Sequence, residues 1–182
     1  MYYGPSSPCS MISPVQSARV TNDFHERQVS ANCALHAIHN LLRSTDITKE
    51  EMNEMAIVIS KEAGDIQSNH VLSSGHWSID TAIRTLQQKG YSVTTGIKTY
   101  NADGKPFYKW GAGETMYQIL ENPRALGFLI HETNHYTAYR KNKTLDKWEY
   151  SDSMACSPQN LSPYEFCKQA LSGSWNIYLV TK

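Results

Sequence analysis

The apolar positions change period near residue 90. Before it they recur every three or four residues; after it they alternate or form short apolar blocks. Ala34, Leu35, Ile38, Leu41 and Leu42 fall on one face and predict a helix from Cys33 to about Arg43. Thr48-Lys49-Glu50-Glu51 is a capping box, in which the hydroxyl and the carboxylate satisfy free N–H groups of a first turn. Met52, Met55, Ala56, Ile59 and Ala63 continue that helix, and Gly64 can end it. Residues 65–75 are polar and predict a loop. Ile79, Ala82, Ile83 and Leu86 predict a third helix over Trp77 to Lys89, with Gly90 as its stop.

Beyond that point Tyr91 to Thr95 alternates like a strand, residues 101–114 predict a loop, and Thr115 to Glu121 suits one or two helical turns. Leu126 to His131, Tyr136 to Lys141 and Lys147 to Ser151 predict three strands joined by short polar turns. Ser162-Pro163-Tyr164-Glu165 is a second capping box with proline at the first helical position. Its helix runs to about Ser172, with Tyr164, Cys167 and Leu171 on the apolar side, and Trp175 to Thr181 predicts a last strand. Helices first and antiparallel strands later define an α+β class.

A chain of 182 residues suits one domain with a loose end. Residues 1–22 are rich in Ser and Pro and are expected to be a flexible arm; residues 23–182 are expected to form the domain. Lys+Arg and Asp+Glu both number 17, with no block of like charge, so nothing points to a nucleic-acid partner. The apolar runs, such as Ala125 to Ile130, are far too short to span a bilayer. The N-terminus has neither a basic region nor an apolar stretch of secretory type, so an intracellular setting, cytoplasm or nucleus, is expected. Four scattered cysteines without a CxxC pair agree with a reducing compartment.

Cys33 stands at the predicted start of the first helix, just after Ser30 and Asn32, both good N-caps. A thiol there feels the positive end of the helix dipole, which favours negative charge on sulfur. Most free cysteines are inert packing, so position alone does not make a nucleophile. A nucleophile needs a histidine to take its proton and a carboxylate or amide to orient that histidine. His36 lies one turn along the same helix and would point along its outer face. His135 opens the strand HYTAYRK, and Asp152 ends the next strand, so both can face one cleft. Gln28, five residues before Cys33, could join the Cys33 backbone N–H in an oxyanion hole. Such a donor is generally worth roughly 3 kcal/mol in the transition state.

His131-Glu132-Thr133-Asn134-His135 also spells HExxH, the zinc-peptidase signature. That motif works on a helix, where both histidines share a face. Both flanks here are strand-like, and on one strand residues four apart would stand roughly 13 Å apart. His36 and His39 could chelate a metal, but no third ligand suggests itself. No metal ligand is therefore assigned, and no cofactor is expected.

The string HERQVSANCALHAIHNLL, His25 to Leu42, resembles the opening motif of the Josephin family of deubiquitinating cysteine proteases. NHYTAYRK and YSDS resemble the family's second and third motifs, and SSGHWSIDTAIRTLQQKGYSV its middle helix. The resemblance spans about Phe24 to Thr181. It implies a papain-like fold, with N-terminal helices packed on a C-terminal antiparallel sheet. It also implies Cys33 as nucleophile, His135 as base, Asp152 as orienter and Gln28 in the oxyanion hole. Ubiquitin or polyubiquitin is the partner it implies, bound by a monomer, with the bond at the ubiquitin C-terminus hydrolysed. His76, Trp77 and Tyr136 are expected to line the channel for the ubiquitin tail. Tyr136 stands where the family usually has Trp, Tyr150-Ser151 replaces Asn-Leu, and His39 replaces a residue commonly Asn. Another thiol enzyme (deamidase, transglutaminase or peptidase) or a domain that binds ubiquitin without cutting it are the alternatives.

Overall fold

The computed structural model describes residues 24–28, 32–64, 76–143 and 145–182. The expected arm, the loop at 65–75 and the N-cap role of Ser30 lie outside them. Three helices come first: α1 (Cys33–Leu42), α2 (Lys49–Glu62) and α3 (Ile79–Gln88). The start signal at Thr48 forms as read. Thr48 and Glu51 make the reciprocal capping box of α2, and the Ser78 side chain accepts from the Thr81 N–H at the start of α3. Helix α3 thus starts at Ile79, two residues later than expected. Arg43 ends α1 in the left-handed conformation, and Gly64 follows α2 with φ +69°.

The remaining elements are β1 (Ser92–Thr95), β2 (Ile97–Tyr100), β3 (Pro106–Trp110), β4 (Glu114–Thr115), α4 (Met116–Glu121), β5 (Ala125–Glu132), β6 (His135–Asn142), β7 (Lys147–Ser151), β8 (Gln159–Asn160), α5 (Pro163–Ser172) and β9 (Asn176–Thr181). The main sheet is antiparallel with order β1-β9-β5-β6-β7-β8. The α+β expectation holds. The expected loop at 101–114 does not: Pro106–Trp110 is the middle strand of a small sheet, β2-β3-β4. Tyr108 and Trp110 are drawn inward by rings rather than by local propensity, since Trp110 packs on Phe128 and the Tyr108 hydroxyl donates to the Trp175 carbonyl.

Both faces of the main sheet are covered. Leu129, Ala138, Tyr178 and Val180 pack against α1, α2 and α3. Phe128, Ile130, Tyr139, Ile177 and Leu179 pack against Phe166 and Ala170 of α5, Met116 and Ile119 of α4, and Trp110. This is why β5 and β9 read as apolar runs rather than clean alternation. The inward face of α5 differs from the expected one: Phe166 and Ala170 are buried, while Tyr164 is exposed. Helix α1 is buried all along Cys33 to Leu41, wedged between the sheet and α3. His36 is therefore inside, not on an outer face. Cys33 and Cys167 are free thiols, whereas Cys156 is disulfide-bonded.

Candidate active site

Residues 24–28 form a strap across the C-terminal half of α1 and the ends of β6 and β7. The Glu26 N–H donates to the Asn40 side-chain oxygen at 2.6 Å, and the Asn40 amide returns a bond to the Glu26 carbonyl at 3.1 Å. The His25 ring bonds Ser151 Oγ at 2.9 Å and the Ala155 carbonyl at 3.0 Å. Arg140, fully buried, donates to the carbonyls of Phe24 and Asn40, and its charge is met by Glu149 at 3.4 Å. Each bond satisfies a backbone group or a charge that burial would otherwise leave costly. The strap ends at Gln28, whose N–H donates to the Ser153 carbonyl at 2.8 Å.

Cys33 opens α1, so its backbone N–H belongs to the first turn, which has no intrahelical acceptor. Asn32 fills the N-cap position without a side-chain cap bond. The thiol is buried and lies 3.7 Å from the carbonyl of Asn134. Asn134 belongs to the two-residue turn Thr133-Asn134 that joins β5 to β6, closed by the pair Glu132–His135. Thr133 takes φ +54°, a conformation that β-branched residues adopt only under constraint, and it sits beside the site.

The next residue, His135, bonds Asp152 Oδ1 through Nε2 at 2.9 Å. A carboxylate accepts, so Nε2 carries the proton and Nδ1 remains for the thiol. Hydrogen bonding to Asp152, then to Cys33, raises the His135 pKa to about 9 against the opposing pull of burial. For Asp152 the largest single influence, burial, pushes upward. The His135 bond, the Met154 N–H at 2.9 Å and the charges of His135 and His25 together outweigh it and hold the carboxyl below its usual range. Gln28 joins this group through Ser153, whose Oγ donates to Gln28 Oε1 at 3.2 Å. That leaves the amide NH₂ of Gln28 as a donor.

The structure thus brings Cys33, His135 and Asp152 together and carries Gln28 to the same loop. A groove of about 440 Å³ opens next to them, lined by His76, Trp77, Ser78, His131, Thr133 and Tyr136 among others. All three residues expected to line a channel are there. Trp77 and Tyr136 are mostly buried, however. The Trp77 Nε1–H donates to Asn53 at 3.0 Å and the Tyr136 hydroxyl donates to the Trp77 carbonyl at 3.1 Å, so they are a fixed wall rather than mobile gates.

HExxH does not assemble. It lies around a hairpin rather than along one strand, and its side chains serve three partners. His131 stacks on Tyr136, with centroids 4.4 Å apart; Glu132 accepts from Trp175 Nε1 at 2.8 Å; His135 belongs to Asp152. Sequence reasoning missed His25, Ser153 and Arg140. No periodicity marks them, because each acts across more than a hundred residues of chain, as the Ser153–Gln28 separation of 125 shows.

An α+β frame with a helix-borne Cys facing a sheet-borne His and Asp is the layout of papain-like thiol proteases. The model of the Josephin family matches residues 28–181, and the chain belongs to that family. Josephin domains are in general cysteine proteases that bind ubiquitin and remove it. No curated protein matches the chain. Among the described residues no helix is long and apolar enough to cross a membrane.

Proposed function

We propose that this protein hydrolyses the isopeptide or peptide bond at the C-terminus of ubiquitin, with Cys33 as nucleophile and His135 as proton carrier. The observation that carries the reading is the Cys33 thiol against the Asn134 carbonyl, with the bonded pair His135–Asp152 on the next residue, beside the groove that Asn134 helps to line. A His135 that titrates near 9 holds its proton at neutral pH. The reacting pair is the thiolate, the nucleophilic form of a cysteine, with protonated His135 beside it, so His135 acts first as an acid. Sγ attacks the carbonyl carbon, and the oxyanion is met by the Cys33 N–H and the Gln28 amide. As the C–N bond breaks, His135 gives its proton to the departing amine, leaving a thioester. Neutral His135 then takes a proton from water, whose oxygen attacks. The C–S bond breaks and the pair is restored.

Asp152 keeps the ring in the tautomer this sequence needs. The groove walled by His76, Trp77 and Tyr136 receives the ubiquitin tail, whose terminal glycines need little width. The test is reaction with ubiquitin carrying a C-terminal thiol trap. Wild type is expected to form one covalent adduct at Cys33, and Cys33→Ala to form none while still binding ubiquitin. Ubiquitin cleavage retained by Cys33→Ala, or no adduct and no cleavage by wild type, would overturn the assignment.

A further inference from the structure

Helix α1 turns two histidines, three residues apart, toward the strap. His36 and His39 are both more than nine-tenths buried, and their rings meet edge to face with centroids 6.2 Å apart. Glu26 faces them. Its Oε2 lies 3.2 Å from His36 Nδ1 and in closer contact still with His39 Nδ1. From the sequence these histidines lacked a third ligand; the strap supplies it. Among the described residues this is the one group of His, Cys and acidic side chains whose ligand atoms converge, all within 4.8 Å of one another.

The hydrogen bonds of this group leave His36 Nδ1 without a partner. His39 Nε2 lies 2.6 Å from the carbonyl of Ile47, which can only accept, so Nε2 carries a hydrogen. In a neutral ring Nδ1 is then a lone pair, and it faces a carboxylate oxygen that is also an acceptor. His36 Nδ1 points at the same oxygen and makes no hydrogen bond of acceptable geometry. Arg140, the buried cation that bonds the strap, is engaged by Glu149 and by the carbonyls of Phe24 and Asn40. With His39 neutral, three electron-pair donors converge on one small volume, one of them the unpartnered and buried His36 Nδ1.

We infer that Glu26, His36 and His39 form a binding site for a divalent transition metal of the zinc class, which clamps the strap carrying Gln28 onto α1. Two imidazoles and one carboxylate are a borderline donor set that zinc accepts, with a fourth position left for water. Tetrahedral bonds of about 2.0–2.1 Å place ligand atoms about 3.3 Å apart, close to the His36–Glu26 separation, whereas the tighter His39–Glu26 contact has to open as the ion enters. The Ile47 carbonyl on the far side of His39 fixes tautomer and ring orientation as outer partners of metal-bound histidines do. Glu26 is about a third exposed and opens a path for the ion.

The probe is Co²⁺, followed by its visible ligand-field absorption and by calorimetry. It is added to the full chain carrying Cys33→Ala, so that the thiolate cannot bind metal. One ion per chain with a tetrahedral-type spectrum is expected, with Zn²⁺ displacing it and raising the thermal midpoint. Adding His39→Asn should weaken binding by more than ~100-fold, since losing a direct ligand costs more than losing an outer partner. Glu26→Gln should do the same, and because it keeps the strap's shape it serves as the second variant if His39→Asn folds poorly. Absence of a one-to-one Co²⁺ complex in the Cys33→Ala protein overturns the site and leaves a proton shared between Glu26 and His39. Binding that survives both substitutions overturns it equally.

Discussion

Ser153 follows Asp152, so one short stretch of chain supplies both the orienter of His135 and the hydrogen bond on Gln28. The Ser153 hydroxyl is buried and donates to the carbonyl oxygen of the Gln28 amide. An amide can turn over about its last bond. With Oε1 held, its NH₂ is turned the other way, available to the oxyanion of the proposed reaction. On the proposed mechanism Ser153 is a positioning residue, acting through Gln28. Gln28→Ala is expected to lower kcat by roughly 10²–10³ with KM little changed, the usual cost of one oxyanion donor. Ser153→Ala should lower kcat about tenfold, about 1.4 kcal/mol of barrier. The double variant should be no slower than Gln28→Ala, because two residues acting through one donor do not add. Additive losses in steady-state kinetics would mean that Ser153 works by some route other than Gln28.

At the scale of elements, the close approach of α1 to the hairpin of β5 and β6 depends on Gly127. It sits at a register irregularity in the pairing of β5 with β9, with φ +150°. A Cβ there would collide with the Tyr139 carbonyl and come within 2.8 Å of Leu41 Cδ1. Gly127→Ala should therefore cost about 1–3 kcal/mol in urea denaturation, the range for overpacking a filled interior. An unchanged midpoint would show that α1 can back away without loss. Such constraints were not legible in the chain, where Gly127 only interrupts an apolar run. What could be read was local: the capping boxes at Thr48 and Ser162, and the facing set of α1, each depend on residues within a few positions. The β2-β3-β4 sheet could not be read, since Gly104, Pro106, Gly111 and Gly113 all signal turns. Its burial comes from Phe128 and Trp175, far along the chain. At the site, the Cys33–His135–Asp152 order was legible from spacing, whereas Glu26 as a partner of His36 and His39 needed the fold of the strap.

For the whole molecule, the helical layer supplies Cys33 and the sheet supplies His135 and Asp152, so proton binding at the site is linked to folding. The His135 pKa rises from 6.5 to about 9 on folding. The folded state therefore keeps this proton where the unfolded chain has lost it. Its contribution to stability is complete below about pH 6.5 and is lost as pH rises through about 9. Asp152 runs the other way. Its folded pKa lies below 3.8, so its contribution is present above that value and is lost as pH falls through the lower folded one. Both groups are about a third exposed, so solvent screens the pair and the effect is modest. Asp152→Asn removes the first cause of the His135 shift and the second titration altogether. The difference in unfolding free energy between wild type and Asp152→Asn, taken from urea curves at about pH 6, 7.5 and 9.5, should shrink steadily with rising pH. A constant difference across that range would mean that Asp152 does not tighten proton binding at His135 in the folded protein, and the acid role proposed for His135 would lose its main support.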